Sequence, residues 1–269
     1  MIPRLPLAAA DFPEEVASAL GAVQRLSYPP QGETSAIAIV EGAGGAYAVK
    51  RSRGARFSAW LGREYRVLRA LAQTSLPTPQ PQVFVQREVD GEPETWLVME
   101  YLPGEPLAAA VEKTADRAVR EHLLRAFGHI LASIHRAAIP AALHSETQPW
   151  LDHMLERAEY ALRHYPVDGD AALLEALKRQ RPQPVPPVLI HGDFTVDNVL
   201  VLAGSVTGVI DWAGGGPGDP RYDLALAIRP QKTGLFQTPQ DRQAFFEGYG
   251  RADLSEPEYD YFVRLYEFF

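Results

Sequence analysis

Two stretches of the sequence carry the pattern that decides the fold: IHGDFTVDNVL at residues 190–200 and VIDWAGGGPGDPRYDLA at residues 209–225. A His-Gly-Asp triplet ends at Asp193, Asn198 follows five residues later, and Asp211 stands thirteen residues after Asn198. Each of these polar residues lies beside a short apolar stretch that is typical of a strand. Because a turn at the end of a strand can aim a side chain into a cleft, the spacing predicts a site that contains all three.

These residue types suit phosphoryl transfer. Transfer of the γ-phosphoryl group of ATP needs a hydroxyl aligned with the phosphate and cations that offset the charge on the phosphate oxygens. The carboxylate of Asp193 can orient the acceptor hydroxyl and accept its proton. Mg²⁺ prefers hard oxygen ligands, which the amide of Asn198 and the carboxylate of Asp211 can supply.

Two residues earlier in the chain complete this pattern. Lys50, one of four lysines, ends the apolar run Ala48-Val49-Lys50 and is placed to hold the α- and β-phosphates. Glu64 lies on the helix predicted to follow and can fix the lysine through an ion pair.

Composition excludes several other classes of protein. The chain has 269 residues, of which 46% are hydrophobic and 22% charged, which is typical of a globular protein with one large domain or two lobes. The absence of cysteine excludes disulfides, thiolate metal sites and cysteine nucleophiles. A net charge of −8 argues against a nucleic-acid partner and is compatible with a cationic or metal-bound substrate.

The apolar segments are too short for a membrane protein. No apolar run approaches the roughly 18 residues that a transmembrane helix needs, and the start of the sequence, MIPRLPLAAADFPEE, is broken by prolines and an arginine. We therefore expect no membrane partner and a cytoplasmic location.

The hydrophobic pattern predicts an α+β fold, with a β-rich first third and a mostly helical remainder that contains a small β insert. The predicted helices cover residues 11–26, 56–73, 117–138, 150–163 and 170–180. The predicted strands are AIAIVEG and GAYAVKR, which form a hairpin, then Val83–Val85, Trp96–Met99 and three short stretches that begin near residues 188, 198 and 206.

This combination resembles the aminoglycoside phosphotransferase and choline kinase group within the protein-kinase-like fold. HGDxxxxN stands where protein kinases carry HRDxxxxN, IDW replaces DFG, and GDPRYDLA at residues 218–225 is typical of the group. The resemblance covers nearly the whole chain. It implies two lobes, a nucleotide-binding lobe at 1–101 and a lobe at 102–269 that carries the catalytic loop and the acceptor site.

The resemblance also implies roles for individual residues. Asp193 is the catalytic base, Asn198 and Asp211 are the Mg²⁺ ligands, and Lys50 with its partner Glu64 clamps the phosphates of ATP or GTP. Further nucleotide contacts are implied for the backbone of the hinge between the lobes and for a phosphate-covering loop that keeps a single glycine. These residues are Met99, Glu100, Tyr101 and Leu102 in the hinge, and Gly32, Thr34 and Ser35 in the loop.

The tail, YFVRLYEFF, resembles the end of aminoglycoside 3′-phosphotransferases, where the end of the chain helps to bind the antibiotic. Glu267 and the α-carboxylate of Phe269 match that pattern, which implies that they help to bind a cationic small-molecule hydroxyl acceptor. An aminoglycoside-type acceptor is the first expectation, but two departures weaken the assignment of a specific 3′-aminoglycoside. Gly214 stands where the subfamily often has an arginine, and the stretch PQKTGLFQTPQ brings no acidic residue before Asp241.

Alternatives remain open at this stage. The acceptor could be a macrolide, a choline-like alcohol, a sugar or an amino acid, and the oligomeric state is undetermined. A protein acceptor is disfavoured because no APE motif follows Asp211. A nucleotide-binding module without turnover is disfavoured because the base, the metal ligands and the lysine are all present.

We interpret His191, Asp219 and Asp223 as braces of the catalytic loop, and His135 as a residue with a satisfied core contact.

Overall fold

The computed structural model describes residues 6–29, 34–42, 44–144, 148–229, 235–236, 238–250 and 253–269. Their contacts divide the chain into two compact units. The first unit comprises Met1–Pro103 and Gly208–Ala213, and the second comprises Gly104–Thr207 and Gly214–Phe269.

This division differs from the predicted lobes, because Gly208–Ala213 belongs to the first unit. The backbone N–H of Val209 donates to the carbonyl of Pro77 at 2.8 Å, and Gly208 packs so closely on Leu102 that a Cβ there would lie 3.1 Å from that of the leucine. Asp211 is therefore held by the same unit as Lys50 and Glu64. The functions assigned to the two lobes stay predictions.

The first unit is built on a five-stranded antiparallel sheet whose strand order is β1-β2-β3-β5-β4. The predicted hairpin and the two predicted strands that follow it are confirmed and extended. The elements in chain order are α1 (Glu14–Leu20), β1 (Val23–Ser27), β2 (Ala36–Gly42), β3 (Gly45–Arg53), α2 (Ala55–Leu71), β4 (Pro81–Val89) and β5 (Glu92–Glu100).

The predicted helix over residues 11–26 is wrong beyond Leu20. Gly21 has φ of +64°, a left-handed conformation that ends α1 and that glycine adopts at little cost. The residues from Val23 onward then pair with β2 as an edge strand. Tertiary pairing thus overrides the helical spacing that the sequence shows.

Apolar side chains fix the central strands of this sheet. Val40, Val49, Trp96 and Val98 are fully buried together with the end of α1. Lys50, next to Val49 on the central strand β3, pairs across the sheet with β2 on one side and β5 on the other. Burial of this core therefore sets the position of the lysine.

The second unit is mainly helical, with two small sheets, one of order β10-β7 and one of order β6-β8-β9. The helices predicted over 117–138, 150–163 and 170–180 and the three predicted strand stretches are confirmed, whereas β6, α3 and β10 are too short for periodicity to reveal. Strand β9 begins in this unit and ends in the first, because the division between the units falls between Thr207 and Gly208. The elements are β6 (Glu105–Pro106), α3 (Leu107–Glu112), α4 (Arg117–Arg136), α5 (Trp150–His164), α6 (Ala171–Arg179), β7 (Val188–Ile190), β8 (Val199–Leu202), β9 (Ser205–Val209), β10 (Gly216–Gly218), α7 (Pro220–Ile228), α8 (Pro239–Tyr249) and α9 (Glu256–Tyr266).

Helices α4 and α8 pack backbone to backbone. A Cβ on Gly128 of α4 would overlap the carbonyl of Phe245 on α8, and a Cβ on Gly248 of α8 would overlap the carbonyl of Arg125 on α4. Glycine is needed at both positions because of this close approach. Among the helices of the described ranges, none has the length and apolar character that crossing a bilayer requires.

We expect Gly128→Ala to lower the free energy of unfolding by about 1–3 kcal/mol, because the added methyl group forces α4 and α8 apart. The matched control is Gly62→Ala on α2, where the new Cβ would lie no closer than 3.4 Å to a neighbour. That variant should be neutral or slightly stabilising, since alanine is the better helix former. Urea unfolding of both variants measures the difference, and equal midpoints would contradict the close packing.

Candidate active site

An ion cluster in the first unit brings together three of the predicted residues. Lys50 on β3 is buried, and its Nζ donates to Oε1 of Glu64 on α2 at 2.6 Å. Nζ also donates to Oδ1 of Asp211, which follows β9. The side chains of Lys50 and Glu64 are 8% and 5% exposed, but that of Asp211 is 38% exposed. The cluster therefore presents one accessible carboxylate.

The charge of Lys50 is maintained by its partners. Burial alone lowers the pKa of this lysine, but the carboxylates of Asp211 and Glu64 outweigh that effect, so the pKa is raised well above its ordinary value. The side chain is therefore an ammonium ion at neutral pH. Such an ion suits the binding of phosphate oxygens.

Asp211 is held in an unusual backbone conformation. Its φ is +65°, in the left-handed region that non-glycine residues seldom adopt. The next residue, Trp212, is fully buried and donates from Nε1 to the carbonyl of Val209 at 2.9 Å. The buried indole anchors the turn, and the strained residue directs its carboxylate at Lys50.

Some of the backbone groups at the end of β5 that are predicted to contact the nucleotide make hydrogen bonds within the fold. Met99 is buried, the N–H of Glu100 donates to the carbonyl of Gln80 at 2.9 Å, and the N–H of Tyr101 donates to that of Ala46 at 3.2 Å. Those two N–H groups therefore make hydrogen bonds within the fold, and adenine contacts by the backbone of Glu100 and Tyr101 stay a prediction. The role of Leu102, the next residue, stays a prediction.

The predicted phosphate-covering loop is described in part. Gly32 lies outside the described residues. Thr34 is exposed and Ser35 is buried at the bend that leads into β2. Their contact with a nucleotide stays a prediction.

The loop that follows β7, which the sequence predicts to be the catalytic loop, brings Asp193 and Asn198 together. Nδ2 of Asn198 donates to Oδ2 of Asp193 at 3.1 Å and to the Asp193 carbonyl at 2.9 Å. Because the amide nitrogen is used in this way, the amide oxygen of the buried Asn198 is the group left for a cation. Metal binding by Asn198 and Asp211 stays a prediction, and the described residues contain no cluster of three or more histidine, cysteine or acidic side chains that could hold a metal.

A buried carboxylate braces this loop, as interpreted from the sequence. Asp223 on α7 accepts from the backbone N–H groups of His191 at 2.6 Å and Gly192 at 2.8 Å. His135 lies 3.3 Å from the same carboxylate through Nε2 and 2.8 Å from the hydroxyl of Tyr249 through Nδ1. The brace thus links the loop to helices α4, α7 and α8.

The remaining two predicted braces have different contacts. Nδ1 of His191 accepts from the N–H of Asp193 at 3.2 Å, which confirms a role within the loop. Asp219 instead caps α7, accepting from the N–H of Arg221 at 3.0 Å and pairing with its guanidinium at 2.6 Å. The interpretation of Asp219 as a brace of the catalytic loop is therefore wrong, because it serves the adjacent helix end.

The structure places the two predicted tail residues beside α5 and the segment before α6. The carbonyl of Glu267 accepts from the N–H groups of Asp168 at 3.1 Å and Gly169 at 3.0 Å. The ring of Phe269 lies under the guanidinium of Arg157, 5.0 Å from its centroid. These contacts fix the end of the chain, and acceptor binding by Glu267 and Phe269 stays a prediction.

Sequence reasoning missed Tyr266. Its hydroxyl donates to Oδ1 of Asp193 at 2.9 Å. The tail was singled out as a whole, but a tyrosine in the last turn of a helix carries no sign that it meets a residue 73 positions earlier.

Comparisons with known proteins identify the family of the chain. Residues 25–262 match the model of a family described as the phosphotransferase enzyme family. An aminoglycoside 3′-phosphotransferase of Streptomyces fradiae is 28% identical over 204 residues, which are 71% of this chain and 74% of that protein.

Solved structures extend the likeness. A crystal structure of aminoglycoside-3′-phosphotransferase of type VIII is 26% identical, with a TM-score of 0.75 over 91% of this chain and 93% of that one. Aminoglycoside phosphotransferase APH(4)-Ia, solved as a ternary complex with ADP and hygromycin B, is 19% identical, with a TM-score of 0.66 over 93% and 86% of the two chains. The predicted α+β, protein-kinase-like fold class is confirmed.

Replacing Asp223 with asparagine tests the brace. We expect Asp223→Asn to lower the free energy of unfolding by about 1–3 kcal/mol, because the amide –NH₂ cannot accept from a backbone N–H and one buried donor loses its partner. The control is Asp116→Asn, since Asp116 caps α4 from an exposed position and asparagine caps equally well. Chemical denaturation measures both, and equal losses would rule out a special role for the buried carboxylate.

Proposed function

Because the chain belongs to the phosphotransferase enzyme family, we propose that it transfers the γ-phosphoryl group of ATP to a hydroxyl of a small cationic acceptor of the aminoglycoside type. The predicted class of enzyme, a small-molecule kinase, is confirmed by this membership. The observation that carries the rest of the proposal is the buried ammonium of Lys50, held by Glu64 and Asp211. A charged lysine fixed in this way is suited to bind the phosphates of a nucleotide.

In the proposed reaction, Lys50 binds phosphate oxygens of ATP while Glu64 keeps the ammonium in place. Asp193 accepts a hydrogen bond from the acceptor hydroxyl and takes its proton as the new O–P bond forms. The bond between the γ-phosphorus and the bridging oxygen of the β-phosphate breaks, and ADP leaves with that oxygen. Positioning and electrostatic stabilisation supply most of the catalysis.

The chemistry of the donor set supports Mg²⁺ as the cofactor. Asn198 offers an amide oxygen, since its nitrogen is used by Asp193, and Asp211 offers an accessible carboxylate. Both are hard oxygen donors of the kind that Mg²⁺ prefers. When bound, the ion would offset the negative charge on the phosphate oxygens.

The nucleotide contacts follow the sequence expectations that the structure leaves open. We assign Met99 to the apolar back of the adenine site and Leu102 to a backbone contact with the base. Gly32, Thr34 and Ser35 are assigned to the loop over the phosphates. The assay described below, which compares ATP with GTP, tests which of the two nucleotides the enzyme uses.

The net charge of −8 supports a cationic acceptor. The likeness to the Streptomyces fradiae protein points to aminoglycosides among such molecules. Glu267 and the carboxylate of Phe269 are the groups we assign to the amines of the acceptor. The competing acceptors are a macrolide, a choline-like alcohol, a sugar and an amino acid. The assay described next distinguishes them from an aminoglycoside.

The first experiment measures ADP formation from Mg²⁺-ATP, and from Mg²⁺-GTP as competitor, across a panel of these acceptors. We expect aminoglycoside-dependent turnover, with a loss of about 10²–10⁴-fold in Asp193→Ala because the proton acceptor is removed. Turnover that depends on another acceptor would move the substrate assignment to that class. Turnover by Asp193→Ala at the wild-type rate would refute its role as the base.

A nucleotide-binding measurement distinguishes the proposed role of Asp211 as a metal ligand from that of Asp193 as the proton acceptor. We expect Asp211→Ala to lose most of the Mg²⁺-dependent affinity for ATP, because the variant lacks a carboxylate ligand and a partner of Lys50. Asp193→Ala is the matched control and should bind Mg²⁺-ATP as the wild type does. Calorimetry with and without Mg²⁺ measures this, and an unchanged affinity of Asp211→Ala would contradict the assignment.

A further inference from the structure

The carboxylate of Asp193 is held at both of its oxygens. Oδ2 accepts from the amide of Asn198 at 3.1 Å, and Oδ1 accepts from the hydroxyl of Tyr266 at 2.9 Å. The first donor belongs to the catalytic loop and the second to the last turn of α9. The two donors thus come from elements that are far apart in sequence but lie in the same unit.

Two hydrogen-bond donors restrict the rotation of the Asp193 carboxylate more than a single donor does. The terminal torsion of an aspartate is broad and roughly two-fold, so a carboxylate held at one oxygen can still turn about that bond. With Oδ1 and Oδ2 both engaged, the plane of the carboxylate is fixed. Each ionised oxygen offers about two lone-pair positions, so an oxygen that accepts from one donor can in general accept from a second.

The tyrosine ring is itself held in place. The guanidinium of Arg229 lies 4.5 Å from the centroid of the Tyr266 ring, and the ring of Tyr222 lies 6.4 Å away. Just beyond it, Phe268 is fully buried against Gly169, where a Cβ would lie within 2.6 Å of the phenyl ring. The hydroxyl is therefore presented by an anchored helix end.

We propose that Tyr266 is a positioning residue of the transfer reaction, which holds the carboxylate of Asp193 in the plane that receives the proton of the acceptor hydroxyl. The inference rests on the proposed function. Tyr266 keeps its own proton throughout and contributes a donated hydrogen bond. The end of α9 thereby takes part in chemistry, a role separate from the acceptor binding assigned to Glu267 and Phe269.

The test is Tyr266→Phe, which removes the hydroxyl and keeps the ring with its contacts to Arg229 and Tyr222. We expect kcat to fall about tenfold, because a catalytic group that is free to turn spends less time aligned. The KM for ATP should stay unchanged, because the proposed role of Tyr266 acts on Asp193, the proton acceptor, and not on nucleotide binding. The full-length enzyme is assayed with whichever acceptor the wild type phosphorylates.

The matched control is Tyr261→Phe on the same helix. Tyr261 donates to the carbonyl of Leu177 at 3.1 Å and is buried, so its replacement also costs one hydrogen bond. We expect its kcat to remain at the wild-type value even if its melting temperature falls by a few degrees. In an Asp193→Asn background, adding Tyr266→Phe should produce no further fall in the residual rate, because the two residues act through one contact.

The outcomes separate this inference from the proposed function. A wild-type kcat for Tyr266→Phe, or an equal fall in Tyr261→Phe, overturns the positioning role and leaves the proposed function intact. Additive losses in the double variant overturn it as well. If the wild type phosphorylates none of the acceptors, the proposed function fails and the role of Tyr266 in transfer fails with it.

Discussion

The buried ammonium of Lys50 is the constraint on which the first unit depends. A charge removed from water costs several kcal/mol unless it is paired and hydrogen-bonded. Here Glu64 from α2 and Asp211 from the segment after β9 supply that pairing. The sheet, the helix and a segment from much later in the chain are therefore joined at one point. This explains physically why Gly208–Ala213 belongs to the first unit.

The second unit also contains a buried charged group, which in this case is an anion. Asp223 is fully buried, and its carboxylate accepts from two backbone N–H groups of the catalytic loop and faces His135. Gly192 has φ of +79° and lies so close to Gly214 that a Cβ would overlap the backbone. The loop that presents Asp193 is thus shaped by a buried anion and a glycine contact.

The sequence predicts local relations in this molecule better than distant ones. The five-residue spacing of Asp193 and Asn198 and the strand and helix that carry Lys50 and Glu64 are short-range patterns, and the structure brings each pair together. Residues 23–27 form a strand because β2 pairs with them, which no periodicity reveals. The N–H groups of Glu100 and Tyr101 are taken by remote carbonyls. Tyr266 reaches Asp193 through the packing of α9 on α7, which the sequence does not encode as a motif.

The burial of Lys50 has a practical consequence for amine chemistry on this protein. Reagents that acylate amines attack the neutral form of an accessible side chain. Lys50 is 8% exposed and its pKa is raised, so it is protected on both counts. The side chain of Lys113 is 69% exposed. A dye or a solid support can therefore be attached through Lys113 while Lys50 keeps its charge.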